Sequence, residues 1–156
     1  MECMFCNVIN IDSNKFYEDD LFMAIYNIRP VTRGHSLVIP KRHVNGLLSL
    51  DEEEKKNIMS FIRKTVFIAL KFADAYQFDV TLQEGKDAGQ SINHLHFHVI
   101  PRKADDELSK YHYWLAKSEH NLENTRTQEL AAEDREKALR ELRFIAKSHA
   151  AQLESL

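Results

Sequence analysis

Residues 94–101 read His-Leu-His-Phe-His-Val-Ile-Pro, an alternation of imidazole and apolar side chain. Only an extended strand turns that alternation into two chemically distinct faces, because successive side chains on a strand point to opposite sides. Leu95, Phe97 and Val99 then face a packed layer, and His94, His96 and His98 line the other side. Three imidazoles pack worse than aliphatics and bury unfavourably unless bonded. At about 7 Å per two residues, the row is too long for all three rings to hold one metal ion. It suits an extended polar ligand such as a phosphate ester, with one end ring free to be diverted elsewhere. A solvated strand face, or a metal-binding polar tract, also accounts for the histidines taken alone. The preceding run from Gln83 to Ser91 argues for the ligand: Gly85 and Gly89 among short polar residues make a loop whose backbone can approach an anion closely.

The rest of the chain predicts a scaffold for such a strand. Residues 21–28 and 35–40 are rich in β-formers, and Pro30 with Arg33-Gly34 marks a turn between them, which predicts a hairpin. Ser49-Leu50-Asp51-Glu52 reads as a capping box. It opens a helix whose Ile58, Phe61, Ile62, Ala69, Phe72, Ala73 and Tyr76 recur at spacings of three and four, a core-facing stripe. Residues 78–83 alternate as a strand that delivers Gln83 to the glycine loop. The histidine strand is expected over 93–100, with Pro101 ending its pairing. Hairpin, long helix, strand, loop and strand describe an α+β domain with an antiparallel sheet.

Beyond Lys103 the pattern changes. Residues 104–126 are polar, with scattered Tyr111, Tyr113 and Trp114, and read as a flap that either covers a ligand or anchors to the body. From Thr127 to Leu153 a second helix is expected. Ala138, Leu142, Ile145 and Leu153 form its stripe, and Glu133–Lys137 and Glu136–Arg140 are spaced as ion pairs. That stripe suits the helix's own subunit or a partner equally. A chain of 156 residues with 44% apolar content supports one domain with a real core, so residues 106–156 are taken as part of the same domain as 1–105.

A net charge of −3 supplies no basic field for non-specific nucleic-acid binding. No run approaches the ~20 apolar residues of a membrane span, and no secretory h-region opens the chain, so a cytoplasmic location is expected. Cys3 and Cys6 are the two cysteines, and a link between them would close almost no loop. They read either as half of a zinc site or as free thiols.

His-apolar-His-apolar-His-apolar-apolar resembles the signature of the histidine-triad (HIT) nucleotide hydrolases and transferases. The stretch Leu82–Lys103, and Ala24–Pro40 with Asn27, Pro30, Gly34, His35 and Pro40 in place, is similar to the fragile-histidine-triad branch, whose members cleave diadenosine polyphosphates. The resemblance covers roughly residues 1–105 and implies the HIT fold: an antiparallel sheet with one long helix packed on it, here with a C-terminal helix added. It implies His96 as the nucleophile and His98 as a donor to the phosphate or bridging oxygen. Gln83 and Ser91 are implied as phosphate donors (Gln83 also orienting water), Gln90 as a further ligand contact, Asn27 as a ribose ligand and His35 as a support for His96. Phe5, Ile25 and Leu37 are then candidate walls around a base, or ordinary core. HIT proteins carrying an N-terminal Cys-x-x-Cys complete a structural zinc site with histidines at the positions of His43 and His94, so the chain combines features of two branches. The implied partners are a nucleotide or dinucleotide and a second subunit in a homodimer, with no organic cofactor. A nucleoside phosphoramidase, a dinucleotide phosphorylase and a non-catalytic nucleotide-binding protein remain open beside the hydrolase.

Overall fold

The two most apolar stretches form adjacent strands that are buried on both faces, and the sheet grows outward from them. In the computed structural model, which describes residues 3–7, 11–104, 106, 108 and 129–156, β2 (Phe22–Tyr26) and β3 (Ser36–Pro40) pair antiparallel with Ile25 opposite Leu37. They join β1 (Lys15–Glu18), β4 (Gln77–Leu82) and β5 (Phe97–Arg102) in one antiparallel sheet of order β1-β2-β3-β5-β4. Phe22, Ala24, Tyr26, Val38 and Val99 face the long helix α1 (Glu52–Ala73) and share a core with its Ile58, Phe61, Ile62, Ala69 and Phe72. Met23, Ile25, Leu37 and Ile39 point the other way, onto Phe5 and Ile11. His98 lies opposite Leu37 in the register, so it shares the face away from α1.

The C-terminal chain forms α2 (Ala132–Ser148) and α3 (Ala150–Glu154), interrupted at His149 rather than continuous to Leu153. Ala138, Leu139, Leu142, Ala146 and Leu153 enter the core that α1 shares with the sheet, so the stripe faces its own subunit. Glu136 and Arg140 meet at 3.4 Å. Tyr111, Tyr113, Trp114 and the start of the expected helix at Thr127 lie outside the described residues.

Several expectations change at the element ends. The capping box is Asp51 with Glu54, not Ser49 with Glu52. Asp51 accepts from the amides of Glu53 and Glu54, and Glu54 reaches back to the Asp51 amide. Ser49 instead ends a 3₁₀ turn over Leu47–Ser49. Tyr76 leaves the helical stripe and is 90% exposed, because Asp74 turns left-handed (φ 52°) and ends α1 at Ala73. β5 begins at Phe97 rather than residue 93: Leu95 N–H is committed to the Val44 carbonyl at 2.6 Å, outside the sheet. Pro101 does not end the pairing, since Phe78 lies opposite Pro101 and Gln77 opposite Arg102. The Pro101 carbonyl accepts from Thr32 Oγ1 at 2.8 Å, on the side where β3 has already ended, so the missing N–H interrupts no ladder.

Replacing Asp51 with alanine should lower unfolding free energy by about 1 kcal/mol, whereas Ser49→Ala should stay within about 0.5 kcal/mol of wild type. Urea denaturation checks both, and equal losses would return the cap to Ser49.

Candidate functional site

The chemistry of this face is decided by which ring nitrogens carry protons, and the backbone fixes that. The Val31 amide, which can only donate, reaches His35 Nδ1 at 3.2 Å, so that nitrogen accepts. His35 Nε2 therefore carries the hydrogen and donates to His98 Nδ1 at 2.9 Å. His98 in turn carries its proton on Nε2. The neighbouring ring has the opposite polarity. His96 Nδ1 lies 2.7 Å from the His94 carbonyl, which can only accept, so Nδ1 carries the hydrogen and the ring lone pair sits on Nε2. The His96 and His98 centroids are 5.2 Å apart. Side by side, then, the strand start presents a lone pair on one ring and an N–H on the next.

Burial keeps His35 and His98 neutral. It pushes His98 down to about 4, with the neighbouring His96 adding to the effect. His35, buried at the start of β3, is held well below its ordinary value first by burial and then by His98 and His96. His35 thus supports His98 and not His96 as expected, because the β3–β5 register brings it beside the last ring of the row.

His94 leaves the row altogether. It is fully buried, and its Nε2–H donates to the Pro40 carbonyl at 2.9 Å, which puts the lone pair on Nδ1. That nitrogen faces Cys3 Sγ at 3.5 Å and Cys6 Sγ at 3.6 Å, while His43 Nδ1 lies 3.2 Å from Cys6 Sγ. The four candidate ligand atoms lie within 4.8 Å of one another. A tetrahedral ion with metal–sulfur bonds of about 2.3 Å and metal–nitrogen bonds of about 2.1 Å needs N···S edges of about 3.5 Å, so the donor set fits one. The Pro40 carbonyl behind His94 supplies the outer partner that orients such a ligand. These four residues could hold a metal.

The remaining site residues are spread along the same end of the sheet. Gln83, half-buried, follows β4, and Ser91 is exposed at the far end of the glycine loop. The Gln90 amide closes that loop, its Oε1 accepting from Gly85 N–H at 2.8 Å and its Nε2 donating to the Asn45 carbonyl at 3.4 Å. Gly85 and Gly89 both take positive φ there, at 87° and 96°. Asn27 Oδ1 caps a turn by accepting from Arg29 N–H at 2.9 Å, while its Nδ2 lies 3.4 Å from both ring nitrogens of His35. Phe5, Ile25 and Leu37 do gather in one apolar cluster, with Cys3 and Ile92 packed against it. What sequence reasoning missed was the set of backbone groups (Val31 N–H, Pro40 C=O, His94 C=O) that choose the tautomers, since main-chain donors leave no signal in side-chain identity.

Residues 8–105 match the HIT domain, and the protein belongs to that family. An uncharacterised HIT-like protein of Methanocaldococcus jannaschii is 37% identical over 113 residues, 70% of this chain and 86% of its own. The asymmetrical bis(5'-nucleosyl)-tetraphosphatase of Schizosaccharomyces pombe is 37% identical over 114 residues, covering 72% of this chain and 63% of the yeast protein. Among solved structures, a zinc-bound histidine triad family protein from Mycobacterium smegmatis superposes with a TM-score of 0.72 at 30% identity, covering 97% of this chain and 98% of that one. No helix among the described residues is long and apolar enough to cross a membrane.

The depressed value at His98 sets a pH dependence of stability. A histidine titrates near 6.5 when unfolded and near 4 here, so the folded protein binds fewer protons between those values. The stabilising contribution is complete above about pH 6.5 and is lost as pH falls toward 4. His98 alone should remove roughly 2 kcal/mol between pH 7 and pH 5, and His35 acts in the same direction. Urea denaturation of wild type and His98→Asn at the two pH values checks this; the variant should lose markedly less on acidification, and parallel losses would refute the assignment.

Proposed function

We propose that the chain is a nucleotidyl hydrolase that cleaves diadenosine polyphosphates, or closely related nucleotides, at the α-phosphate. The observation that carries this reading is the paired polarity of two adjacent rings, a lone pair at His96 Nε2 and an N–H at His98 Nε2. The yeast tetraphosphatase among its relatives supports the substrate class.

In this mechanism His96 Nε2 attacks the α-phosphorus, a P–N bond forms, and the P–O bond to the polyphosphate breaks. The leaving group departs as an anion, with His98 Nε2–H donating a hydrogen bond to its bridging oxygen. The positive charge that develops on the His96 ring is met by the His94 carbonyl at Nδ1. Water then attacks phosphorus, and the P–N electron pair returns to His96. AMP leaves and one proton passes to solvent. Gln83 and Ser91 donate to phosphate oxygens, and Gln83 orients the water. Asn27 binds the ribose with the amide that also touches His35. Gln90 acts on the ligand through the glycine loop its amide closes. Cys3, Cys6, His43 and His94 hold a structural zinc ion, for which the donor geometry and the zinc-bound relative are the support. We place residues 1–105 and the following helices in a single cytoplasmic domain that works as a homodimer. The open edge of the sheet at β4, where Phe78 and Val80 are exposed, supports the dimer better than α2, whose stripe is already covered.

The test is AMP release from diadenosine tri- and tetraphosphate and from an adenosine phosphoramidate. Wild type should release AMP from a dinucleotide; preference for the phosphoramidate would move the protein to that substrate class, and binding without turnover of any would make it a binding protein. Losing one positioned donor costs about 10²–10³ in rate. Gln83→Ala should therefore keep measurable turnover, while His96→Ala should bind nucleotide but fall far below it, having lost the covalent route. Equal rates for the two variants would remove His96 as nucleophile. Elemental analysis should find one zinc per chain, absent from a Cys3→Ser/Cys6→Ser double variant that also melts lower; a metal-free wild type would refute the zinc site.

A further inference from the structure

We propose that Phe5 is a positioning residue that links the Cys3-Cys6-His43-His94 centre to His96, so that metal loading selects the Nδ1–H tautomer of His96. Its consequence for turnover rests on the nucleophilic role proposed for His96; the coupling itself does not. Two connections carry it. The first runs through His94, whose Nδ1 belongs to the four-residue cluster while its own carbonyl, 2.7 Å away, receives the His96 proton. The His94 ring and backbone cannot shift independently, because Nε2–H is held by Pro40 O and the next amide, Leu95 N–H, by Val44 O. Those two acceptors flank the segment that carries His43.

The second connection runs through Phe5 itself. It sits between the two cysteines in a single 3₁₀ turn, Met4–Cys6, closed by Cys6 N–H to the Cys3 carbonyl at 3.0 Å. Both thiols contact the histidines of the cluster, so an ion shared by the four groups would clamp the turn and with it the Phe5 ring. That ring meets His94 at 5.8 Å and 76° and His96 at 5.3 Å and 75°, edge contacts to the metal ligand and to the adjacent imidazole at once. A clamped Phe5 closes one side of the His96 ring and leaves it the rotamer in which Nδ1 reaches the carbonyl. A released Phe5 frees the ring to turn and lets water compete for that proton.

Long-range ¹H–¹⁵N spectra of histidine-labelled protein at neutral pH read the tautomer of each ring directly. The samples are zinc-loaded wild type, the same protein stripped by a chelator, stripped protein with zinc restored, and zinc-loaded Phe5→Leu. Loaded wild type should show His96 almost wholly as the Nδ1–H form. Stripping and Phe5→Leu should each reduce the Nδ1–H to Nε2–H ratio by about fivefold or more, the worth of one net hydrogen bond. Restored zinc should recover it, and the His35–His98 pair should not change. An unchanged His96 signal after verified zinc loss, or in folded Phe5→Leu, overturns the proposal, as does a wild type that takes up no zinc. A tautomer that responds as expected in a protein without nucleotide turnover upholds the coupling and removes the hydrolase; turnover with an insensitive tautomer does the reverse. Should Phe5→Leu not fold, stripping and restoring zinc in wild type decides alone.

Discussion

An imidazole buried in a protein interior is tolerable only when its nitrogens are matched, and His94 is matched at every polar atom that matters to the site. Its Nε2–H goes to the Pro40 carbonyl, its Nδ1 to the thiols of Cys3 and Cys6, and its carbonyl to His96. One residue thus joins the end of β3, the N-terminal turn and the start of β5. The loop between β3 and α1, which carries His43, is held from the other side by Glu54. That carboxylate is 2% exposed and accepts Arg42 through Nε at 3.1 Å and Nη2 at 2.6 Å while also capping α1. A buried carboxylate left without its guanidinium would be strongly destabilising. The Arg42–Glu54 pair therefore fixes where His43 can stand relative to His94.

The parts of the fold that were legible beforehand are those where one local rule sufficed. Continuous apolar runs at 21–28 and 35–40 read as strands because both faces of β2 and β3 are buried. The α1 stripe and the α2 stripe were visible through helical spacing, up to Ala73 and from Ala138. β1 was not visible: four residues with a register shift against β2 are too short and irregular to show a period. The capping box expected at Ser49–Glu52 forms instead at Asp51–Glu54, where Arg42, which only the folded chain brings near, also pairs with Glu54.

The site followed the same division. That one end of the row could be diverted was readable from the length of a strand repeat against the size of a metal site. The choice of His94, with Cys3, Cys6 and His43, came only from the resemblance to zinc-carrying HIT proteins, and the structure does gather those four. The partner of His35 was not readable, because it depends on a strand register: Leu37 opposite His98 brings His35 to His98 rather than to His96. The role of Gln90, expected as a ligand contact, was not readable in full either, since its amide also closes the glycine loop through Gly85 and Asn45. Side chains that organise a loop and side chains that touch a ligand are drawn from the same polar set, and only geometry separates them.

The neutrality of the two rings bears on how such a site would handle a polyanion. Fixed cations would attract a polyphosphate equally before and during reaction, which deepens ground-state binding without lowering the barrier. His98 and His35 are instead kept uncharged by burial, and the contacts of His96 include the His94 carbonyl at Nδ1 and the Phe5 and His98 rings. In the reading proposed here, positive charge arises only when the His96 lone pair is spent on phosphorus. The attraction between ring and phosphate then grows along the reaction coordinate, and the His94 carbonyl strengthens its bond to Nδ1–H in step. Burial that depresses His98 and His35 lowers the stability of the fold in acid, and in that same reading it keeps these two rings uncharged while the charge develops on His96.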